Sequence, residues 1–284
     1  MPGVAVVTGA GRGFGRAIAL RLARRGYTVL ATDVDGAAAA DTADQAGGFS
    51  TCLDVRDPEA HRAAARAAVQ RGPLEVWVNN AGVMRAGAAW EHADEDVRLS
   101  CEVNLLGVIW GSRAAVEAMR SGPGRNRHII NVASLSSFGP VPGLAVYGAT
   151  KHAVLGFTGS LQGDLLDAGL PITVHALCPD AADTPLLREH DHEPAAAINW
   201  SGPRLLTADE VAEEAVGLLD SKRLVRVIPA WRGWGARALA MAGRSGLRAA
   251  PLLRRQGDRR RIAFTAQRTE ETHDRGEHGS EHRV

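Results

Sequence analysis

The start of the chain constrains the fold most. Val4-Ala5-Val6-Val7 is a short apolar run, followed by Thr8-Gly9-Ala10-Gly11-Arg12-Gly13-Phe14-Gly15 and then by helical apolar positions at Ala17, Ile18, Leu20, Leu22 and Ala23. A buried strand, a glycine-rich turn and a helix in that order open a βαβ unit. Glycine lets the backbone turn sharply and lets a pyrophosphate reach the helix N-terminus with no Cβ in the way. The candidate contacts are Gly9, Arg12, Gly13, Phe14 and Gly15; an ordinary tight turn is the bland alternative.

The alternation then continues. Strand patterns fall at 27–32, 50–53, 76–78, 128–132, 172–177 and 224–228. Helical patterns fall at 36–46, from Asp57-Pro58, near 94–119, near 146–168 and after the Thr207-x-x-Glu210 capping box. Seven apolar strands alternating with helices predict an α/β fold, a doubly wound parallel sheet covered on both faces. The chain's 284 residues could hold two domains, but no linker interrupts the pattern before about 230. One domain over 1–230 is expected, with a loop at 180–206 over the substrate, a basic Trp/Leu/Arg-rich extension at 231–264 and a polar, disordered tail at 265–284.

Thirty-three basic and 32 acidic residues give +1, so no whole-chain field attracts nucleic acid. No apolar run is long enough to span a bilayer, and no secretory signal pattern is present. Cys52, Cys101 and Cys178 lack CxxC spacing; a cytoplasmic, disulfide-free protein without a structural zinc is expected. Only two of the basic residues are lysines, Lys151 and Lys222. A compact ammonium suits a reacting centre better than a guanidinium does.

Asp33 closes the second strand, 24 residues after Gly9, where a carboxylate takes the hydroxyls of an adenosine ribose. It favours NAD over NADP, whose 2′-phosphate it repels. Arg12 pulls the other way, since it could pair that phosphate. Tyr147 and Lys151 lie at i and i+4, on one face of a helix. The ammonium favours the phenolate, so Tyr147 is the candidate general acid and base. Ser134 is the candidate for binding the reacting oxygen, with Ser136 and Ser137 as rivals.

Val78-Asn79-Asn80-Ala81-Gly82, Asn104, Ser134 and Tyr147-Gly-Ala-Thr-Lys151, in this order and on these elements, resemble the short-chain dehydrogenase/reductase superfamily, over roughly residues 4–229. The resemblance implies a Rossmann fold and a catalytic tetrad of Asn104, Ser134, Tyr147 and Lys151, with Asn104 holding a water linked to Lys151. It implies cofactor contacts from Asp54 and Val55 at the adenine, from Asn80, Ala81 and Gly82, and from Pro179, Ala182 and Thr184 near the nicotinamide. Tyr147 and Lys151 are expected on the cofactor side as well, and a homodimer or homotetramer is implied. One departure stands out: Asp180 follows Pro179 where the family usually has glycine. On sequence grounds, Asp180→Gly is expected to leave activity intact or to improve it.

His190-Asp191-His192-Glu193 could be read as metal ligands, but consecutive loop residues seldom converge on one ion. No metal is expected, and this stretch is read as solvated and mobile. From Trp231 to Ile262 there are nine arginines and one acid. Gly243, Gly246 and Pro251 break any long amphipathic helix, so a pocket-closing helix or a subunit contact is favoured over membrane contact. The substrate lining is expected from Leu135, the stretch Phe138 to Leu144, the 184–206 loop and the extension. Its apolar character points to a hydrophobic substrate. The functional expectation is an NAD-preferring oxidoreductase interconverting a secondary alcohol and a ketone, with NADP possible. A non-catalytic dinucleotide-binding sensor or scaffold is the second reading.

Overall fold

The computed structural model describes residues 2–122 and 126–278. The strands are β1 (Val4–Thr8), β2 (Thr28–Asp33), β3 (Phe49–Cys52), β4 (Leu74–Asn79), β5 (Arg127–Val132), β6 (Ile172–Pro179) and β7 (Val225–Ile228). They form one parallel sheet in the order β3-β2-β1-β4-β5-β6-β7. The helices of the body are α1 (Gly13–Arg24), α2 (Gly36–Ala46), α3 (Pro58–Val69), α4 (Asp94–Cys101), α5 (Gly107–Ser121), α6 (Ala145–Asp167), α7 (Pro185–Arg188) and α8 (Ala208–Gly217). The extension forms α9 (Ala230–Met241), α10 (Arg244–Leu247) and α11 (Ala250–His278).

The apolar pattern explains the layers. All of β1 is buried. Ala5 and Val7 join Ile18 and Leu22 of α1 and Val211 and Ala215 of α8 in one core. Val4 and Val6 join Ala64 and Ala68 of α3 and Ala115 and Met119 of α5 in the other. Successive strand residues point to opposite faces, so a strand without polar positions must be covered twice. Each fully buried Val, Leu or Ile contributes roughly 1.5–3 kcal/mol relative to exposure. Local caps agree with the sequence. Asp35 accepts from Ala37 N and Ala38 N, Asp57 accepts from Glu59 N, and Thr207 with Glu210 closes the capping box.

Two expectations change. The helix expected at 94–119 is interrupted by a π turn, Glu102–Leu106, with Asn104 at its centre. Such turns mark positions where one extra residue re-aims the chain. The tail expected to be disordered from 265 is helical up to His278, and residues 279–284 lie outside the described ones. Contacts anchor this helix: Phe264 meets Trp200 at a ring separation of 6.1 Å, and Thr265 and Arg268 bond to Asp191.

Candidate active site

The strand order reverses between β1 and β4, and a crevice opens outside the carboxyl ends of the strands there. Its rim is the glycine turn. Gly9 and Gly13 have φ of +62° and +55°, in the left-handed region. A Cβ on Gly15 would lie 2.0 Å from Gly9 O, so only glycine lets α1 start this close to the turn. Asn80 holds the turn from β4, donating from Nδ2 to Thr8 O and Gly9 O, both at 3.0 Å. Thr8 Oγ1 accepts from Asn80 N and Ala81 N at 3.0 and 3.2 Å. No side chain caps the first turn of α1. Gly13 and Phe14 of that turn line the crevice, where an anion would meet the uncapped helix N-terminus.

Asp33 Oδ2 accepts from Gly11 N at 2.9 Å, and Oδ1 accepts from Asp35 N at 3.1 Å. Each oxygen keeps acceptor capacity toward the cleft. Arg12 turns to Glu189 of the 180–206 loop, at 2.5 Å. Asp54 is paired with Arg56, which holds its carboxyl below the usual range. Both arginines near the adenosine end are therefore engaged with carboxylates.

At the inner end, Ser134, Tyr147 and Lys151 line the cleft together. Ser134 Oγ accepts from Ser136 N at 3.1 Å. The rivals separate on geometry: Ser137 Oγ is used on Lys151 O at 2.8 Å, and Ser136 Oγ is buried without a partner among the described residues. Lys151 Nζ donates to Val132 O at 2.9 Å and lies 5.6 Å from the centre of the Tyr147 ring. Burial pushes the Tyr147 phenol up to about 12, with Ser134 opposing, and pushes Lys151 down to about 8. The phenol thus holds its proton at neutral pH, while the ammonium remains largely charged. Cys178 beside them is neutral, its thiol raised to about 12 by burial.

Gly9, Arg12, Gly13, Phe14, Asp33, Asp54, Val55, Asn80, Ala81 and Gly82 line one continuous cleft of about 590 Å³ together with Ser134, Tyr147, Lys151, Pro179, Ala182 and Thr184. Gly15 and Asn104 do not. Gly15 packs behind the turn. Asn104 is fully buried, and its amide bonds Val83 N and Val83 O, each at 2.8 Å, and Thr150 Oγ1 at 3.3 Å. Its side chain thus ties the π turn to Val83 and to α6.

Sequence patterns gave no sign of the polar network behind the cleft. Trp77 Nε1 donates to Asn79 Oδ1, and Asn79 Nδ2 donates to Asn131 Oδ1 and Ser112 Oγ. Asn131 Nδ2 in turn reaches Thr158 Oγ1. These bonds lock β4, β5, α5 and α6 together beneath the site.

The cap also departs from expectation. Asp180 does not point at a bound nicotinamide's place unpaired. Its Oδ2 accepts from Arg232 Nε of α9 at 2.8 Å, and Arg232 Nη2 donates to Ser201 Oγ at 3.0 Å. The loop 180–206 holds α7 and a 3-10 helix, Pro194–Ser201; of the stretch expected to be solvated, His190 and Asp191 are buried while His192 is exposed. Arg261 donates to Asp191 O at 2.6 Å. A Cβ on Gly257 of α11 would lie 2.0 Å from Ala197 O, so α11 lies directly on this loop. Among the described residues no three His, Cys, Asp or Glu side chains gather as a metal site would need. The far end of the cleft is apolar, with Leu135, Val141, Leu144, Ile198, Trp231 and Leu239. Phe138 is not in that lining; Arg237 lies 4.0 Å over its ring.

Residues 3–195 match the sequence model of the short chain dehydrogenase family. The chain belongs to the short-chain dehydrogenase family. The 1-deoxy-11-beta-hydroxypentalenate dehydrogenase of Streptomyces avermitilis is 34% identical over 230 residues, covering 78% of this chain and 83% of that one. A short chain dehydrogenase/reductase of Burkholderia phymatum, solved with NAD, superposes with a TM-score of 0.71 at 31% identity, over 80% of this chain and 88% of that one. An actinorhodin polyketide ketoreductase variant, solved with NADPH, gives 0.71 at 31% identity, over 80% and 95%. As a short-chain dehydrogenase the chain is a dinucleotide-dependent oxidoreductase that interconverts an alcohol and a ketone.

Proposed function

We propose that this enzyme uses NAD in preference to NADP and that Ser134, Tyr147 and Lys151 carry its proton chemistry. The observation that carries the reading is that Ser134, Tyr147 and Lys151 line the inner end of one cleft, with Lys151 Nζ 5.6 Å from the centre of the Tyr147 ring, while the glycine turn forms its outer end. The residues fit the dinucleotide: uncapped N–H groups at α1 suit a pyrophosphate, and Asp33 suits two ribose hydroxyls. The cofactor supplies or accepts the hydride.

In reduction, Tyr147 donates its phenolic proton to the carbonyl oxygen. In oxidation, it takes the hydroxyl proton as phenolate. Burial alone holds the phenol protonated, which suits reduction. Oxidation needs added positive charge near Tyr147, and Lys151 contributes part of it. Ser134 donates to the reacting oxygen and stabilises its charge. Lys151, aimed by its bond to Val132 O, would hold the nicotinamide ribose.

Specificity for NAD follows from charge. A 2′-phosphate would meet the Asp33 carboxylate, while Arg12 and Arg56 are already paired with Glu189 and Asp54. The apolar far end suits a secondary alcohol or ketone on a hydrophobic body, in line with the relative named for a hydroxypentalenate. A cytoplasmic homodimer or homotetramer completes the reading, with exposed Leu106 and Leu166 as surfaces that self-association would cover. The test is a titration with NADH and NADPH beside turnover of Tyr147→Phe. Tight NADH, weak NADPH and a rate loss of roughly 10²–10⁴-fold with NADH binding kept support the reading. Tight NADPH overturns the NAD preference, and turnover retained by Tyr147→Phe overturns the catalytic assignment.

A further inference from the structure

The extension leaves a surface that the enzyme's chemistry does not explain. On α9, Arg232, Ala236 and Leu239 face the cleft. Trp231, Trp234, Ala238 and Met241, spaced i, i+3, i+7 and i+10, form one continuous stripe that begins at the cleft, which Trp231 also lines, and turns away from it. The three large side chains are 58%, 71% and 89% exposed. On α11, Leu252, Arg255, Arg259 and Ile262 repeat that spacing, and all four are exposed. Leu247 on α10, with Arg244 and with Arg248 just after it, adds another exposed leucine and two exposed arginines.

Charge marks this surface: from Trp231 to Ile262 the chain carries nine arginines and one acid. In the extension, Arg244, Arg248, Arg255 and Arg259 have no carboxylate partner among the described residues. The one acid between 231 and 262, Asp258, is held by Arg261. Isolated exposed apolar residues are ordinary, but a Trp-Trp-Met stripe on α9, with exposed and unmatched arginines on and just after α10, which packs on α9, makes an amphipathic surface. An isologous contact between two copies would bring these arginines toward one another. An anionic lipid surface satisfies both features: arginines at the headgroups, tryptophans and aliphatic side chains at the acyl boundary. Among the described residues no helix is long and apolar enough to cross a membrane, so the face would lie on the bilayer.

We propose that the outer face of α9, α10 and the start of α11 docks on an anionic bilayer, with the cleft mouth turned toward it. Trp231, Leu239 and Leu253 belong both to the extension and to the cleft lining, so the docked face adjoins the cleft mouth. An apolar substrate then enters from lipid. The entry step rests on the functional reading above; the docking does not. The glycine breaks that argue against one long helix divide the segment into three short ones, which can still share one surface.

The experiment is flotation of the full chain with vesicles of phosphatidylcholine alone and with about 30% phosphatidylglycerol added. Binding to the anionic vesicles that falls steeply as salt is raised is expected. Arg244→Glu with Arg248→Glu should lower partitioning roughly twentyfold or more. Trp234→Ser with Met241→Ser should also release the protein, and both pairs should keep turnover of a water-soluble ketone. No flotation at low salt, or equal flotation with both vesicles, overturns the proposal. So does an oligomer that dissociates on Trp234→Ser with Met241→Ser, which would make the face a contact between copies. Flotation without any NADH turnover upholds docking and overturns only the functional reading.

Discussion

Replacing Asp180 by glycine restores the residue usual in the family, yet it should damage this enzyme. The carboxylate is 9% exposed and the guanidinium of Arg232 is 17% exposed, with Nε and Oδ2 2.8 Å apart. With the charge centres about 4 Å apart and an effective dielectric near 20, their attraction is about 4 kcal/mol before desolvation is counted. Removing one partner leaves Arg232 partly buried beside Ser201 without its counter-charge, a loss typically of about 3–5 kcal/mol for a buried pair. Some access of water to Arg232 brings the expectation to about 2–4 kcal/mol. The pair joins the end of β6 to α9, and Arg232 links both to the loop through Ser201, so the damage should fall on the cap over the substrate. Asp180→Gly should raise KM for a bulky apolar ketone about tenfold or more while kcat changes little, and should lower Tm by several degrees. Asp180→Asn, which keeps an acceptor for Arg232, should lose less. Steady-state kinetics and thermal melts of the three proteins decide the matter. An Asp180→Gly enzyme with unchanged KM and Tm would refute the role assigned to the pair.

Two further outcomes follow from buried titrating groups. Lys151 titrates near 8 in the folded protein against an ordinary value near 10.4, so folding disfavours its charged form by about 3 kcal/mol below pH 8. Stability should therefore rise as pH goes from about 8 toward 10. Lys151→Met should melt higher than the parent at pH 7, lack this rise and lose turnover, all readable by calorimetry and an activity assay. The His128–His175 pair on β5 and β6 behaves in the opposite pH window. Burial takes His128 down to about 4 and lowers His175 as well. The stability of the neutral pair is fully present above about 6.5 and is lost as pH falls toward 4, about 3 kcal/mol for His128 alone. His128→Gln should flatten that acid loss in urea melts at pH 6.5 and pH 4; a parallel loss in both proteins would refute it.

The histidine pair also orders its protons. His175 Nδ1 donates to Arg223 O at 2.6 Å, which leaves Nε2 to accept from His128 Nδ1 at 3.0 Å. His128 Nε2 lies 2.8 Å from Asn126 Oδ1, so a neutral His128 with its proton on Nδ1 requires the Asn126 amide to turn its nitrogen to that ring atom.

The layers were legible because they rest on local rules. A run such as Val4–Val7 has no polar face and has to be covered on both sides, and Asp57-Pro58 or Thr207-x-x-Glu210 names a helix start by its own hydrogen bonds. Tyr147 and Lys151 were legible for the same reason, since four residues on a helix bring two side chains to one face. Asn104 was legible as a position but not as a contact: its pairing with Val83 depends on a π turn that no spacing announces. The cap was hidden further. His190 and Asp191 read as polar and solvated, yet both are buried, and α11 bonds to Asp191.

By itself, then, the sequence determined the parallel sheet, the glycine turn at its switch point and the residues that gather in the cleft, because period, capping and steric freedom act within a few residues. The tertiary structure alone decided that Asp180 belongs to Arg232, 52 residues on, that Arg12 belongs to Glu189, and that the end of the chain is a helix lying over the substrate loop. Those pairings join segments with no local preference for one another. They form only once the sheet has brought its carboxyl edge, its loop and its last helices to one place.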